Sequence, residues 1–201
     1  RQDDTVAVIP VPDLQNKSTR GYFTSSNTLA PGEIFVSQLA LNVEHGEVEV
    51  PWRPTLRIAT PVFNADGSRA GIVIANISSA GVIGQIRDVQ VEQNTRVFLA
   101  NDQGYWIGGR PDEELWGFMF GREATVANEL PEIWRAAEQN QSGLLWQGTS
   151  LFSYVWLAPQ VSASGATRAT QIAPTERWLR IAELPNVGQS ILANPLVWGI
   201  W

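Results

Sequence analysis

The chain has 201 residues, of which 44% are hydrophobic and 17% charged. This is a globular composition, and it is long enough to bury a core without a disulfide or metal. The absence of cysteine excludes disulfide scaffolds, thiolate metal sites and cysteine nucleophiles, and a net charge of −6 with scattered cations excludes the basic stripe that nucleic-acid binding needs.

In chain order, Arg1-Gln-Asp-Asp opens without the basic and apolar regions of a signal peptide, as if inside a domain. Thr5–Ile9 reads as a short strand ended by Pro10, and Pro10–Lys17 as a loop. Ser18 is a candidate N-cap for a short helix to about Thr28, and Pro31-Gly32 is a turn. Glu33–Leu41, rich in β-branched and aromatic residues, reads as one strand. His45-Gly46 then turns the chain into the alternating Glu47–Val50.

Leu56–Phe63 and Gly71–Ile77 flank Asn64-Ala-Asp-Gly67, a strong hairpin pattern. In Ser78–Val91, Val82, Ile83, Ile86 and Val89 recur at helical spacing, which predicts a linker helix. A second block follows. Arg96–Ala100, the turn Asn101–Gly104 and Tyr105–Ile107 form a hairpin; Pro131–Gln139 is a helix with proline in its first turn; Gly143–Gly148 and Leu151–Leu157 form another hairpin. Ser162–Thr167 is a polar low-complexity loop, and Arg177–Leu184 a last strand. Each block reads as an antiparallel sheet of a few strands carrying short helices, an α+β arrangement split near Val91. Ile191–Trp201 is apolar but too short to span a bilayer. It reads equally as the first turns of a membrane helix or as a last docking element.

Two ordered series of segments carry a resemblance. The first is Leu14–Ser18, Arg20–Phe23, Gly32–Ser37, Leu41–Glu44, Arg57–Phe63 and Gly71–Ile77. The second is Asn101–Trp106, Leu115–Phe120, Leu130–Trp134, Ser142–Leu145 and Leu151–Tyr154. Over residues 1 to 184 the chain resembles the double Cache sensors, which carry tandem PAS-like domains. The resemblance implies a membrane-distal domain over 1–91 with its linker helix, a membrane-proximal domain over 92–190, and a possible membrane-helix start at 191–201. It also implies a periplasmic position in an inner-membrane receptor, held by flanking helices, with a histidine kinase, diguanylate cyclase or chemotaxis output. The long N-terminal helix and first distal strand of the family are lacking here, which leaves the expected homodimer open.

No catalytic constellation is visible. His45, the only histidine, sits in a turn, no Gly-x-Ser-x-Gly elbow occurs, and Asp112-Glu-Glu114 reads as a solvated loop. Neither a metal site nor a cofactor is expected. For a ligand, the resemblance points to the distal domain. Arg20 stands where amino-acid-binding relatives carry a carboxylate-binding Arg, and Tyr22 and Phe23 stand at a Trp-Tyr pair. Phe35 is nearest to a strand Tyr, and Asn76 stands at an amine-gripping Asp. Trp52 and Arg57 are further candidates by proximity. Since an amide cannot neutralise an ammonium, the implied ligand is an organic acid rather than an amino acid. The bland reading stands beside this one. Arg20 could be an exposed helix residue, Tyr22 and Phe23 could be core, and the whole could be a ligand-free structural or interaction module.

Overall fold

The computed structural model describes residues 8–88, 94–158, 170–171 and 176–187. The expected Ser162–Thr167 loop, the Ile191–Trp201 segment, the end of the linker helix and the boundary near Val91 lie outside them. So does most of the expected Thr5–Ile9 strand; its last residues, Val8 and Ile9, are exposed and form no strand.

The first block begins with a 3-10 turn at Val11–Asp13, inside the stretch read as loop, and the helix α1 at Gly21–Ser26. α1 is shorter than expected. Arg20, not Ser18, sits at its N-cap, in an extended backbone conformation and without a side-chain cap. The strand expected over Glu33–Leu41 is two, β1 (Glu33–Val36) and β2 (Ala40–Leu41), lying end to end along the same edge of β5 (Pro54–Phe63). At the break the Ser37 Oγ accepts from Arg57 N at 2.9 Å, so the ladder is bridged by a side chain. Between β2 and β5, β3 (Val43–Glu44) and β4 (Glu47–Val48) form a small hairpin. Its turn residues His45 and Gly46 both have positive φ, as a two-residue hairpin turn demands.

The other edge of β5 pairs with β6 (Arg69–Ser78) through the Asn64–Gly67 turn. Gly67 there has φ 81°. β6 is an open edge, and its residues from Val73 to Ser78 are exposed. α2 (Ala80–Asp88) follows.

The second sheet has the order β8-β7-β12-β10-β9 and is antiparallel throughout. Its strands are β7 (Arg96–Ala100), β8 (Trp106–Gly108), β9 (Ser142–Gln147), β10 (Ser150–Leu157) and β12 (Trp178–Leu184). α3 (Gly117–Phe120) and α4 (Val126–Glu129) precede α5 (Pro131–Gln139), which packs against β9 and β10 and lies where the sequence put it. Ile133 of α5 is fully buried, and the Trp156 indole on β10 donates to Ala137 O at 2.8 Å.

The first sheet departs from the antiparallel expectation. β11 (Thr170–Gln171), from the second half of the chain, pairs parallel with β1. The sheet is therefore mixed, and the two blocks share hydrogen bonds. They also share a core. Val36, Leu39, Leu41 and Leu56 belong to one contiguous cluster with Trp106, Ile107, Trp116, Ile133 and Ile181.

Candidate functional site

A cavity of about 340 Å³ opens between α1, the Ala40–Glu44 stretch and the β5–β6 hairpin. Of the sequence candidates, Arg20, Tyr22, Arg57 and Asn76 line it. Arg57 and Asn76 face each other directly across the β5–β6 register, set by the hairpin turn and the irregularity at Val62–Phe63. Arg20 arrives from the start of α1, where the chain leaves its extended approach.

The electrostatics are one-sided. The Arg57 guanidinium donates to Asn42 Oδ1 at 2.8 Å and lies 5.5 Å from the centre of the Tyr22 ring, within cation–π range. Burial draws it below the usual guanidinium range; Tyr22 and Glu44 oppose that, and the Arg20 charge adds to it. Neither Arg20 nor Arg57 pairs with a carboxylate among the described residues.

The Glu44 carboxylate also lines the cavity, but it is already engaged. It accepts from Gln15 at 2.8 Å, from Lys17 at 3.1 Å and from Asn42 at 3.2 Å. The Gln15 bond is the main cause holding its carboxyl below the ordinary range, with Lys17 and Asn42 helping against burial. Lys17 and Glu44 thus cancel, and the two guanidiniums leave the cavity with positive charge in excess.

The remaining candidates lie elsewhere. Phe35 is buried beneath the site in a small cluster with Leu29 and Ala59, against which Tyr22 packs. Phe23 is half-buried and does not line the cavity. Trp52 stacks on Phe120 with ring centres 5.4 Å apart. It borders a second cavity of about 660 Å³, with Ile83, Phe98, Arg110 and Trp116. That cavity is larger but chemically quieter. Its Arg110 is held by Glu114 at 2.7 Å and by Glu129, and its Arg96 pairs with Glu183 at 2.7 Å.

Sequence reasoning missed Lys17, Asn42, Glu44 and Met119, all of which line the smaller cavity. Lys17 precedes Arg20 by three residues, and Asn42 and Glu44 alternate at strand spacing, so a search for polar residues on one strand face would have found them. Met119 comes from the second block and carries no local signal. Among the described residues no cluster of acidic or histidine side chains is placed to hold a metal, and no helix is long and apolar enough to cross a membrane. His45 is an exposed turn residue whose ring lies 3.3 Å from the Gln15 amide.

No curated protein matches the chain. Among solved structures it is similar to a domain of a sensory box/GGDEF family protein from Vibrio parahaemolyticus, with TM-score 0.69 and 22% identity over 88% of this chain and 62% of that one. It is equally similar to the extracellular domain of the histidine kinase vpHK1S-Z8, with TM-score 0.69 and 21% identity over 93% of this chain and 63% of that one. A more distant likeness, TM-score 0.51 and 12% identity over 89% and 66% of the two chains, is to the ligand-binding domain of the Pseudomonas aeruginosa amino acid chemoreceptor PctC in complex with GABA. At these identities the likeness is one of fold, and the chain spans just over three fifths of the first two structures. The family model of the bacterial histidine kinase sensor domain matches residues 2–163, and the chain belongs to that family: it is a sensor domain of bacterial signal transduction and not itself a catalyst.

Proposed function

We propose that this sensor domain captures a small organic acid in the cavity lined by Arg20 and Arg57. The observation that carries the reading is that two guanidinium groups converge there, neither with a carboxylate partner among the described residues. Leaving partly buried charges unpaired is unfavourable, and a guanidinium matches a carboxylate by paired charged hydrogen bonds. An α-ammonium is served less well. Asn76 offers an amide, and the Glu44 carboxylate is already taken up by Lys17, Gln15 and Asn42.

The wider reading is a double Cache receptor fragment. Its distal PAS-like domain spans 1–91 and its proximal one 92–190, on the periplasmic side of the inner membrane, with flanking membrane helices, a homodimeric assembly and a kinase or cyclase output. Two five-stranded sheets, one on each side of residue 91 apart from β11, support that organisation.

The test is a thermal-shift screen of acetate, succinate, malate and citrate against glycine, alanine, glutamate and GABA, on wild type, Arg20→Ala and Arg57→Ala. Binding adds about 2.7 kcal/mol of apparent stability at one hundred times the dissociation constant. Organic acids should stabilise the wild type, and each Arg variant should lose most of that gain. Stabilisation by amino acids alone would mean that Glu44 gives up Lys17 to hold an ammonium, and would overturn the organic-acid reading. Stabilisation that survives both variants would remove the cavity from the function.

A further inference from the structure

The wall of the carboxylate cavity is held from the other block. Ala40, Leu41 and Asn42 line the cavity, and the segment leading into them is the break between β1 and β2. The Leu39 N–H donates to Glu176 Oε2, and the Leu41 N–H donates to Met119 Sδ at 3.2 Å. Both acceptors belong to the second block: Glu176 stands just before β12, and Met119 is in α3. Leu39 and Leu41 are themselves almost wholly buried. Two alternate amides of one pocket wall are therefore fixed by side chains 78 and 137 residues away.

We propose that Glu176 and Met119 are positioning residues of the ligand cavity, holding the Leu39–Leu41 wall so that the second sheet is coupled to occupancy of the first block's pocket. The proposal rests on the carboxylate reading above for its ligand, but the hold on the wall rests on the two hydrogen bonds themselves. A wall fixed by the neighbouring block cannot move on a ligand without moving its anchors, which is what links two sites in one equilibrium.

The Glu176 anchor is also sensitive to protons. Its Oε1 and the nearby Trp178 Nε1 are buried without a well-formed hydrogen bond among the described residues. Among the described residues the charge acting on it is that of Asp102, which opposes ionisation, while Trp178 and the Leu39 amide favour it. Arg177, its chain neighbour, lies over the Trp156 ring at 4.4 Å. Burial prevails and pushes the carboxyl up to about 7.

The experiment combines amide hydrogen exchange with titration of succinate, whose two carboxylates suit two guanidiniums, on the 201-residue chain. Wild type, Glu176→Leu, Glu176→Gln and Met119→Ala are compared. Glu176→Leu should speed exchange at Leu39, and Met119→Ala at Leu41. Each should weaken succinate about tenfold, in the usual range of coupling between sites. Glu176→Gln keeps an acceptor without a charge. It should retain wild-type exchange and binding. Unchanged wall exchange in Glu176→Leu, or unchanged succinate affinity in that variant, would overturn the proposal. If wild type binds no succinate, the ligand reading fails on that probe, while the exchange rates still decide whether the wall is held from the second block.

Discussion

Glu176 and Arg57 show how burial acts oppositely on an acid and a base. An ordinary glutamate ionises near pH 4.5, but Glu176 keeps its proton to about 7 in the folded chain. Between those values the folded state binds more protons than the unfolded one, so stability falls as pH rises. The contribution is complete below pH 4.5 and lost above about 7, and a shift of this size corresponds to about 3 kcal/mol. Glu176→Gln should be more stable than wild type at pH 8 and nearly equal to it at pH 4.5, read as urea midpoints at the two pH values. Equal midpoints at pH 8 would place the carboxyl in water. The candidates that line the cavity, pointed to by the resemblance and by proximity, are close in the chain or paired across one hairpin. Arg20 and Tyr22 share one helix start, and Arg57 and Asn76 are joined by a hairpin whose turn is plain in the sequence. Phe35 lies beneath the cavity, and the chain breaks at Ser37, two residues further on, before its polar wall begins; no alternation rule announces that break.

At the scale of elements, the second sheet is organised around one turn and one unusual helix start. Asn101 is fully buried, and its Oδ1 accepts from Gln103 N at 3.1 Å and Tyr105 N at 2.8 Å, tying the β7–β8 turn to itself. Gly104 completes that turn at φ 85°, where an added Cβ would stand 3.2 Å from the Trp134 ring. Asn101→Ala leaves two partly buried turn amides without their acceptor and should cost about 1–3 kcal/mol by thermal unfolding. Trp116 begins α3 in a left-handed conformation and is 2% exposed, with its N–H donating to Trp106 O at 2.8 Å. Trp116→Ala should cost about 3–5 kcal/mol, the range for a buried aromatic, and an unchanged melting temperature would refute its structural role. The long elements of this block, α5, β9, β10 and β12, were legible because each carries a full period of its pattern. The two-residue strands β2 and β11 carry none. The parallel pairing of Thr170–Gln171 with Glu33–Ile34 is a contact across 137 residues that local pattern cannot encode.

Across the whole molecule, the two sheets do not behave as separate bodies in their packing. Leu39 is fully buried at the break between β1 and β2, and it belongs to the same cluster as Trp106, Trp116, Ile133 and Leu179 of the second block. The Leu39 amide is anchored on Glu176, Trp52 of the first block stacks on Phe120, and β11 adds hydrogen bonds across the divide. Apolar area removed from water at this junction is lost to both blocks if either unfolds, so neither can open without the other losing stability. Urea unfolding should therefore be a single transition. Indole fluorescence, dominated by tryptophans of the second sheet, and amide exchange in β5 of the first should share one midpoint. Leu39→Ala opens a void at the shared core and should cost about 2–5 kcal/mol, moving both probes together. Two separated midpoints, or a Leu39→Ala effect confined to β5, would show that the blocks unfold independently. The junction would then be too weak to carry a signal from the Arg20–Arg57 cavity to the second sheet.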